Sequence, residues 1–120
     1  MFFMIKFYGY KKCGTSNKAE KKLTELKIDY TFIDITETPP TEPAMKKIIK
    51  QSDEEIKKFF NTSGQAYKEP GMKEKLKAMS ETEIIKLFCT NGKIIKRPVV
   101  TDGEKATVGF NEEVFIRTWK

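Results

Sequence analysis

The sequence has 120 residues, 38% hydrophobic and 33% charged, so it fits one domain spanning residues 1–120 and lacks the roughly 20-residue apolar stretch that crosses a bilayer. Its net charge of +6 comes from lysines scattered among glutamates, as on solvated helix faces, so we expect no specific nucleic-acid binding. Histidine is absent and only two cysteines occur, which excludes histidine-based catalytic pairs, histidine-containing zinc sites and all-thiolate metal centres.

The first third of the chain predicts a strand–helix–strand unit. Residues 4–10 alternate as a strand with one partly buried face does. Ala19, Leu23 and Leu26 then recur at helical spacing, and residues 30–35 are rich in the aromatic and β-branched residues that favour strands. Because a helix joins the two strands, we expect them to be parallel with a right-handed crossover.

A helical insert is predicted at about residues 41–90, after the break at Pro39 and Pro40. Two capping boxes, Ser52 with Glu55 and Ser80 with Glu83, predict the starts of two of its helices. A short helical piece is expected around residues 73–77. The apolar faces are predicted at Met45, Ile48 and Ile49, at Ile56, Phe59 and Phe60, and at Ile84, Ile85, Leu87 and Phe88.

In the final third of the chain, the hydrophobic pattern changes from helical spacing to the two-residue spacing of strands. Residues 93–101 are strand-like but contain Pro98, the pair Asp102-Gly103 predicts a tight turn, and residues 105–109 return as a partner strand. Asn111 is expected to cap a last helix. The order βαβ, helical insert, ββα predicts an α/β fold with a mixed four-stranded sheet flanked by helices.

Cys13 is the strongest candidate for a reactive group. It lies at the predicted start of the first helix, where free amides and the helix dipole stabilise a thiolate, and Lys11 and Lys12 should favour the thiolate as well. Gly14 allows close backbone approach, and the same amides could hold a substrate oxyanion. We therefore predict a nucleophile with a lowered pKa; the alternative, a cysteine that only packs, fits a polar loop poorly.

Ser16 stands where a dithiol motif would carry its second cysteine. A hydroxyl cannot form a disulfide, so Ser16 either donates a hydrogen bond to the thiolate or merely caps the helix. An oxidised Cys13 must then be resolved by Cys89 or by a thiol from outside the chain. Cys89 follows Phe88 on an apolar helical face, so we predict a buried structural role for it. So few cysteines, together with an apolar start that Lys6 interrupts, lead us to expect a cytoplasmic protein.

Arg97 is the second candidate, because it is one of only two arginines and directly precedes Pro98. Proline in a strand is confined to edges, strand starts or special bends, and a cis bond is one way to accommodate it. The planar guanidinium of Arg97 suits an oxyanion or a carboxylate. The open alternative is a surface residue at the start of a strand.

Three segments together resemble the ArsC/Spx family. They are Cys13-Gly14-Thr15-Ser16 after the first strand, the Phe-Phe-Asn-Thr-Ser-Gly run at residues 59–64, and the Lys-Arg-Pro-Val-Val run at residues 96–100. The match is collinear over essentially the whole chain. The resemblance implies a thioredoxin-like, glutaredoxin-like fold with a helical insert, in which Pro98 is a cis-proline lying against the reactive thiol.

The resemblance also implies a thiol-dependent oxidoreductase. Arsenate reductases of this family attack arsenate with the cysteine that matches Cys13, hold the oxyanion with three arginines, and pass the adduct to glutathione and glutaredoxin. Arg97 matches one arginine, whereas the other two positions read Phe60-Asn61 and Val108-Gly109-Phe110. The implied reductant is glutathione, glutaredoxin or thioredoxin, with no bound cofactor or metal. The implied site has Cys13 and Arg97 as catalytic residues and Gly14, Thr15, Ser16 and Pro98 as substrate contacts.

Two other functions are compatible with the resemblance. The Spx branch consists of regulators that bind the RNA polymerase α-subunit, often with a dithiol switch whose intramolecular form Ser16 removes. A protein of that kind would make a protein contact without catalysis. The second of these functions is that of a glutathione-linked monothiol protein that acts on glutathionylated partners.

Overall fold

The computed structural model describes residues 4–120, and four strands form its central sheet: β1 (Ile5–Gly9), β2 (Tyr30–Asp34), β3 (Val99–Thr101) and β4 (Ala106–Val108). The strands lie in the order β2–β1–β3–β4. β1 and β2 are parallel, as predicted, and β3 is antiparallel to both β1 and β4. The predicted hairpin and mixed four-stranded sheet are thereby confirmed.

The helices follow the predicted order except within the insert, where the helix predicted at Ile56 to Phe60 is only a 3₁₀ turn and the short helix at residues 65–68 was not predicted. α1 (Gly14–Glu25) joins β1 to β2, and α6 (Glu112–Trp119) follows β4. Between β2 and β3 lie α2 (Glu42–Ser52), a 3₁₀ turn (Ile56–Phe59), α3 (Gln65–Lys68), α4 (Met72–Ala78), α5 (Glu81–Thr90) and a second 3₁₀ turn (Gly92–Ile94). Over residues 4–120, no helix is both long enough and apolar enough to cross a membrane.

The sheet buries a different apolar cluster on each face, because successive strand residues point to opposite sides. Phe7 and Val100 pack with α1 and α6 on one face, whereas Tyr8 and Val99 pack with the insert on the other. The smaller cluster comprises Phe7, Ala19, Leu23, Val100, Phe115 and Trp119. The insert therefore completes the larger core rather than standing apart from the sheet.

Two predicted helix caps are confirmed. The Ser80 hydroxyl accepts from the Glu83 amide at 3.2 Å, and the Glu83 carboxylate accepts from the Ser80 amide at 3.0 Å, which is a complete capping box. The Asn111 side chain accepts from the Val114 amide at 3.2 Å at the start of α6.

The capping box predicted at Ser52 and Glu55 is wrong. Ser52 is the last residue of α2, and Asp53 ends that helix in the left-handed conformation at φ 60°. The Ser52 hydroxyl donates to the Ile49 carbonyl at 2.8 Å and accepts from the Glu54 amide at 3.1 Å, so it closes a helix rather than opening one.

The strand predicted over residues 93–101 is also wrong in its first half. A 3₁₀ turn comes first, Ile95 forms only an isolated bridge with Phe60, and β3 begins after Pro98, which has no N–H to donate. The Lys96 amide donates to the Phe59 carbonyl at 2.7 Å, and the Asn61 amide donates to the Ile94 carbonyl at 2.7 Å. These bonds hold residues 59–61 of the insert beside the segment that leads into Arg97.

We expect Gly92→Ala to destabilise the fold, because a Cβ at this position would overlap the carbonyl oxygen of Ile35 just beyond β2. The expected loss in the free energy of unfolding is about 1–3 kcal/mol, as for other overpacked sites, measured by urea denaturation. Gly14→Ala is the control: its Cβ meets nothing within 4 Å, and alanine favours a helix. Equal destabilisation by both variants would contradict this account of the packing.

Candidate functional site

Cys13 caps the N-terminus of α1 and is partly exposed. Its backbone is extended, with φ −97° and ψ 120°. The Cys13 amide donates to the Tyr10 carbonyl at 3.0 Å, and the Asn17 amide donates to the Cys13 carbonyl at 3.0 Å. The thiol therefore stands at the helix start, where the amides of the first turn have no partner within the helix.

Hydrogen bonds hold the pKa of Cys13 below its ordinary value. Partial burial of the sulfur acts in the opposite direction and raises the pKa, but it is outweighed by donors that favour the thiolate. These donors are the Ser16 amide and hydroxyl, the Arg97 side chain and the Thr15 amide. Groups within one turn of helix, together with one side chain from the segment before β3, thus favour the thiolate form of Cys13.

Ser16 is fully buried and faces the thiol from inside the fold. Its hydroxyl oxygen accepts from the Tyr10 amide at 3.2 Å, which leaves its O–H available as a donor. No side-chain hydrogen bond caps α1. Ser16 lowers the pKa of Cys13, which fits the first of its two predicted roles.

The guanidinium of Arg97 acts on the thiol and also has one hydrogen-bond donor without an acceptor among the described residues. The Arg97–Pro98 peptide bond is cis, and the guanidinium lies over the Tyr10 ring with Cζ 5.0 Å from its centroid. The side chain helps to lower the pKa of Cys13, while Nη1 is buried with no acceptor in the part of the chain that the structure describes. A buried charged donor without a partner is costly, and a bound anion would satisfy it.

A cleft of about 360 Å³ opens above these groups. Lys12, Lys96 and Arg97 line it, and among residues 4–120 no Asp or Glu does. Its other lining residues are Tyr10, Cys13, Thr15, Phe60, Asn61, Thr62, Ser63 and Gly64. The cleft combines the Cys13 thiol with three cations, which suits an anionic ligand.

The predicted substrate contacts occupy different places. Thr15 lines the cleft, whereas Ser16 is buried beneath it and Pro98 is buried where the chain enters β3. Gly14 is exposed, and an added Cβ would meet nothing within 4 Å, so no part of the protein approaches it closely. Pro98 contributes a carbonyl that accepts from the Gly109 amide at 2.8 Å.

The lysine contribution predicted for Cys13 needs correction. Lys11 turns away, since its ammonium pairs with Glu20 at 3.1 Å and lies 4.0 Å from the centroid of the Phe32 ring. Lys12 does line the cleft.

Lys96 lines the cleft too, and sequence reasoning did not single it out. Its side chain crosses Gly109, where a Cβ would stand 2.8 Å from Lys96 Cε and the backbone has φ 73°. One indication of this contact was available in the sequence: Gly109 lies in the run Val108-Gly109-Phe110, where the family resemblance implies an arginine.

Cys89 lies outside the cleft. It is half-buried against the larger core, and burial together with the charge of Glu42 raises the pKa of its thiol. Neither cysteine forms a disulfide. A raised pKa and a packed position fit the structural role predicted for this residue.

Known proteins match the chain over nearly its full length. The model of the ArsC family matches residues 8–118. The uncharacterized protein YusI of Bacillus subtilis is 48% identical over 115 residues, which are 96% of this chain and 98% of YusI. Among solved structures, an ArsC family related protein from Bacteroides fragilis has 41% identity and a TM-score of 0.90, with 98% of each chain covered. A possible arsenate reductase from Streptococcus mutans has 39% identity and a TM-score of 0.82, covering 90% of this chain and 92% of that one.

The hydrogen bonds to Cys13 predict how its reactivity depends on pH. In a Cys89→Ser background, the rate of alkylation by iodoacetamide should reach half its maximum below the pH typical of a free thiol. Ser16→Ala and Arg97→Met should each move that midpoint upward, because each removes a donor to the thiolate.

Lys11→Met is the matched control, since its ammonium pairs with Glu20 instead. A midpoint that stays the same in Ser16→Ala and Arg97→Met would show that these donors do not set the pKa.

Proposed function

The chain belongs to the ArsC family, and we propose that it is a thiol-dependent oxidoreductase in which Cys13 attacks an oxyanion. The observation that carries this proposal is the guanidinium of Arg97, which lines the same cleft as Cys13 and lowers its pKa, while its Nη1 is buried without an acceptor among the described residues. An oxyanion bound at Nη1 would be held next to the nucleophile. Such placement is the main requirement for a reaction between the two.

The two arginines that the family pattern would add are replaced in this proposal by lysines. Lys12 and Lys96 line the same cleft as Arg97, so three cations surround a bound oxyanion. The amides of Thr15 and Ser16 point at the sulfur and would stabilise charge that develops beside it. Lysine provides charge without the bidentate fork of arginine, so we expect weaker affinity than three arginines would give.

Arsenate is the substrate that we propose. The Cys13 thiolate attacks arsenic, an S–As bond forms, and one arsenate oxygen leaves as water after protonation. The thiolate of glutathione then attacks the Cys13 sulfur, and the S–As electron pair stays with arsenic, which departs as arsenite. A second thiolate, from glutathione, glutaredoxin or thioredoxin, attacks the glutathione sulfur and frees Cys13. Arsenate thereby gains two electrons while two external thiols become a disulfide.

The external thiols are part of the proposal because the chain offers no second thiol at the site. Ser16 fills the position of a resolving cysteine, and Cys89 does not line the cleft. The reaction needs no bound cofactor or metal. It does need a reducing compartment, which agrees with the expected cytoplasmic location.

Arsenate turnover with glutathione and glutaredoxin tests this function. We expect Cys13→Ser to abolish turnover, because a serine hydroxyl near neutral pH is a far weaker nucleophile than a thiolate. Cys89→Ser is the matched control and should retain the wild-type rate. Turnover that survives in Cys13→Ser, or disappears in Cys89→Ser, would contradict the assignment of the nucleophile.

The cations of the cleft give a second test. Lys12→Met and Lys96→Met should each raise KM for arsenate by about tenfold, since a hydrogen bond to a charged group is worth about 1.5–3 kcal/mol. Arg97→Met should lower kcat/KM further, because it removes contacts with both sulfur and anion. Lys11→Met should change neither KM nor kcat/KM. If Lys11→Met raised KM as much as Lys12→Met does, the effect would come from net charge alone.

The competing function is a regulator that binds the RNA polymerase α-subunit without catalysis. Binding of purified α-subunit that is unchanged in Cys13→Ser, together with wild-type protein that does not turn over arsenate, would favour it. A glutathione-linked protein acting on glutathionylated partners predicts instead that wild type releases glutathione from such partners and that Cys13→Ser does not.

A further inference from the structure

A second hollow, which we name the insert groove, lies beside the Cys13 cleft and encloses about 630 Å³. Its apolar lining consists of Ile56, Phe60, Tyr67, Leu76, Met79 and Ile84. Five lysines border it: Lys57, Lys58, Lys73, Lys77 and Lys96. No Asp or Glu from residues 4–120 lines this groove, so an apolar surface is bordered by charge of one sign.

The charge of the insert groove differs from that of its neighbour. The adjoining hollow, of about 950 Å³, has four acidic and three lysine side chains in its lining. Its acidic and basic side chains nearly balance, and we assign it no ligand. Among the lysines of the insert groove, only Lys57 forms an ion pair within the described residues, with Glu55 at 3.1 Å. The other four lysines have no ion-pair partner among these residues, and such lysines favour an acidic ligand.

The groove is continuous with the Cys13 cleft. Phe60, Thr62 and Lys96 line both hollows. Phe60 is held in place by Phe88, at 5.3 Å between ring centroids, and by Tyr67, at 6.0 Å. An extended chain that occupies the groove can therefore continue past Lys96 to the sulfur.

We propose that the insert groove docks an acidic, apolar-bearing segment of a partner protein, and that this partner presents a dithiol to Cys13. The docking stands on the groove itself, whereas the dithiol step rests on the proposed function. In that step a partner thiolate attacks the glutathione sulfur of the Cys13–glutathione disulfide, and the Cys13 thiolate departs. The second partner thiolate then closes the partner's own disulfide and releases glutathione, so both electrons come from the partner.

The lining of the groove favours a protein over a nucleic acid. Ile56, Leu76, Met79 and Ile84 are aliphatic or thioether side chains, and the two aromatic ones are covered: Phe60 is buried except for 9% of its surface, and Tyr67 is half-buried. Single-stranded nucleic acids bind through exposed aromatic faces on which bases stack. A surface with an apolar centre and a charged rim is instead the anatomy of a protein interface.

Docking is tested on Cys13→Ser, which removes the thiol chemistry. The probe is a short fluorescent peptide of alternating glutamate and leucine, with binding followed by anisotropy. Lys73→Glu/Lys77→Glu should weaken binding by about tenfold, because like charges then face each other across the interface. The same variant should gain affinity for a lysine–leucine peptide.

Lys18→Glu/Lys21→Glu, on the exposed side of α1, is the control with the same change in net charge, and it should bind the glutamate–leucine peptide like the parent. Equal weakening by both double variants would reduce the effect to net charge and overturn the proposal. Equal affinity for a glutamate–serine peptide, or tighter binding of an oligothymidine, would overturn it as well.

The dithiol step is tested on wild type and on Lys73→Glu/Lys77→Glu, each with Cys13 glutathionylated. The variant should react about tenfold more slowly with a glutaredoxin of acidic surface, yet at the parent rate with dithiothreitol, which is neutral and small. Equal slowing with both reductants would contradict docking. Absence of arsenate turnover would refute the proposed function but leave the peptide isotherms unaffected, so the two failures are distinguishable.

Discussion

The candidate site depends on the set of hydrogen bonds that fixes the turn between β1 and α1 around Cys13. Tyr10 organises this set from its backbone, because its carbonyl accepts from the Cys13 amide and its amide donates to the Ser16 hydroxyl. Ser16 and Arg97 both lower the pKa of Cys13. The tight turn between β1 and α1 thus fixes Cys13 next to Ser16, while Arg97 lines the cleft.

The helical insert completes the site from the other side. Two backbone hydrogen bonds, from Lys96 to Phe59 and from Asn61 to Ile94, hold residues 59–61 beside the chain that leads to Arg97. The same pairing places Phe60 between the Cys13 cleft and the insert groove. A thiol site on the sheet and an interaction surface on the insert are therefore parts of one continuous depression.

Much of this arrangement could be predicted from local patterns. Period-two alternation in β1 and helical spacing in α1 are short-range signals, and Ser80 with Glu83 is a motif whose two hydrogen bonds require no distant partner. Ser52 with Glu55 has the same spacing but ends a helix, because Asp53 adopts a left-handed conformation that the pattern does not encode. The role of Lys96 was missed because it depends on contact with Gly109, thirteen residues later in the chain.

In the proposed site, one guanidinium serves both the thiolate and a bound oxyanion. The most direct test is an NMR titration of the Cys13 thiol, labelled at Cβ, at increasing concentrations of sulfate, which cannot be reduced at the site. Sulfate held by Arg97 should raise the pKa of Cys13 in a saturable way, since a neighbouring anion disfavours a thiolate, and Arg97→Met should abolish that rise. A pKa that responds equally to chloride at matched ionic strength, or does not respond at all, would contradict the shared site.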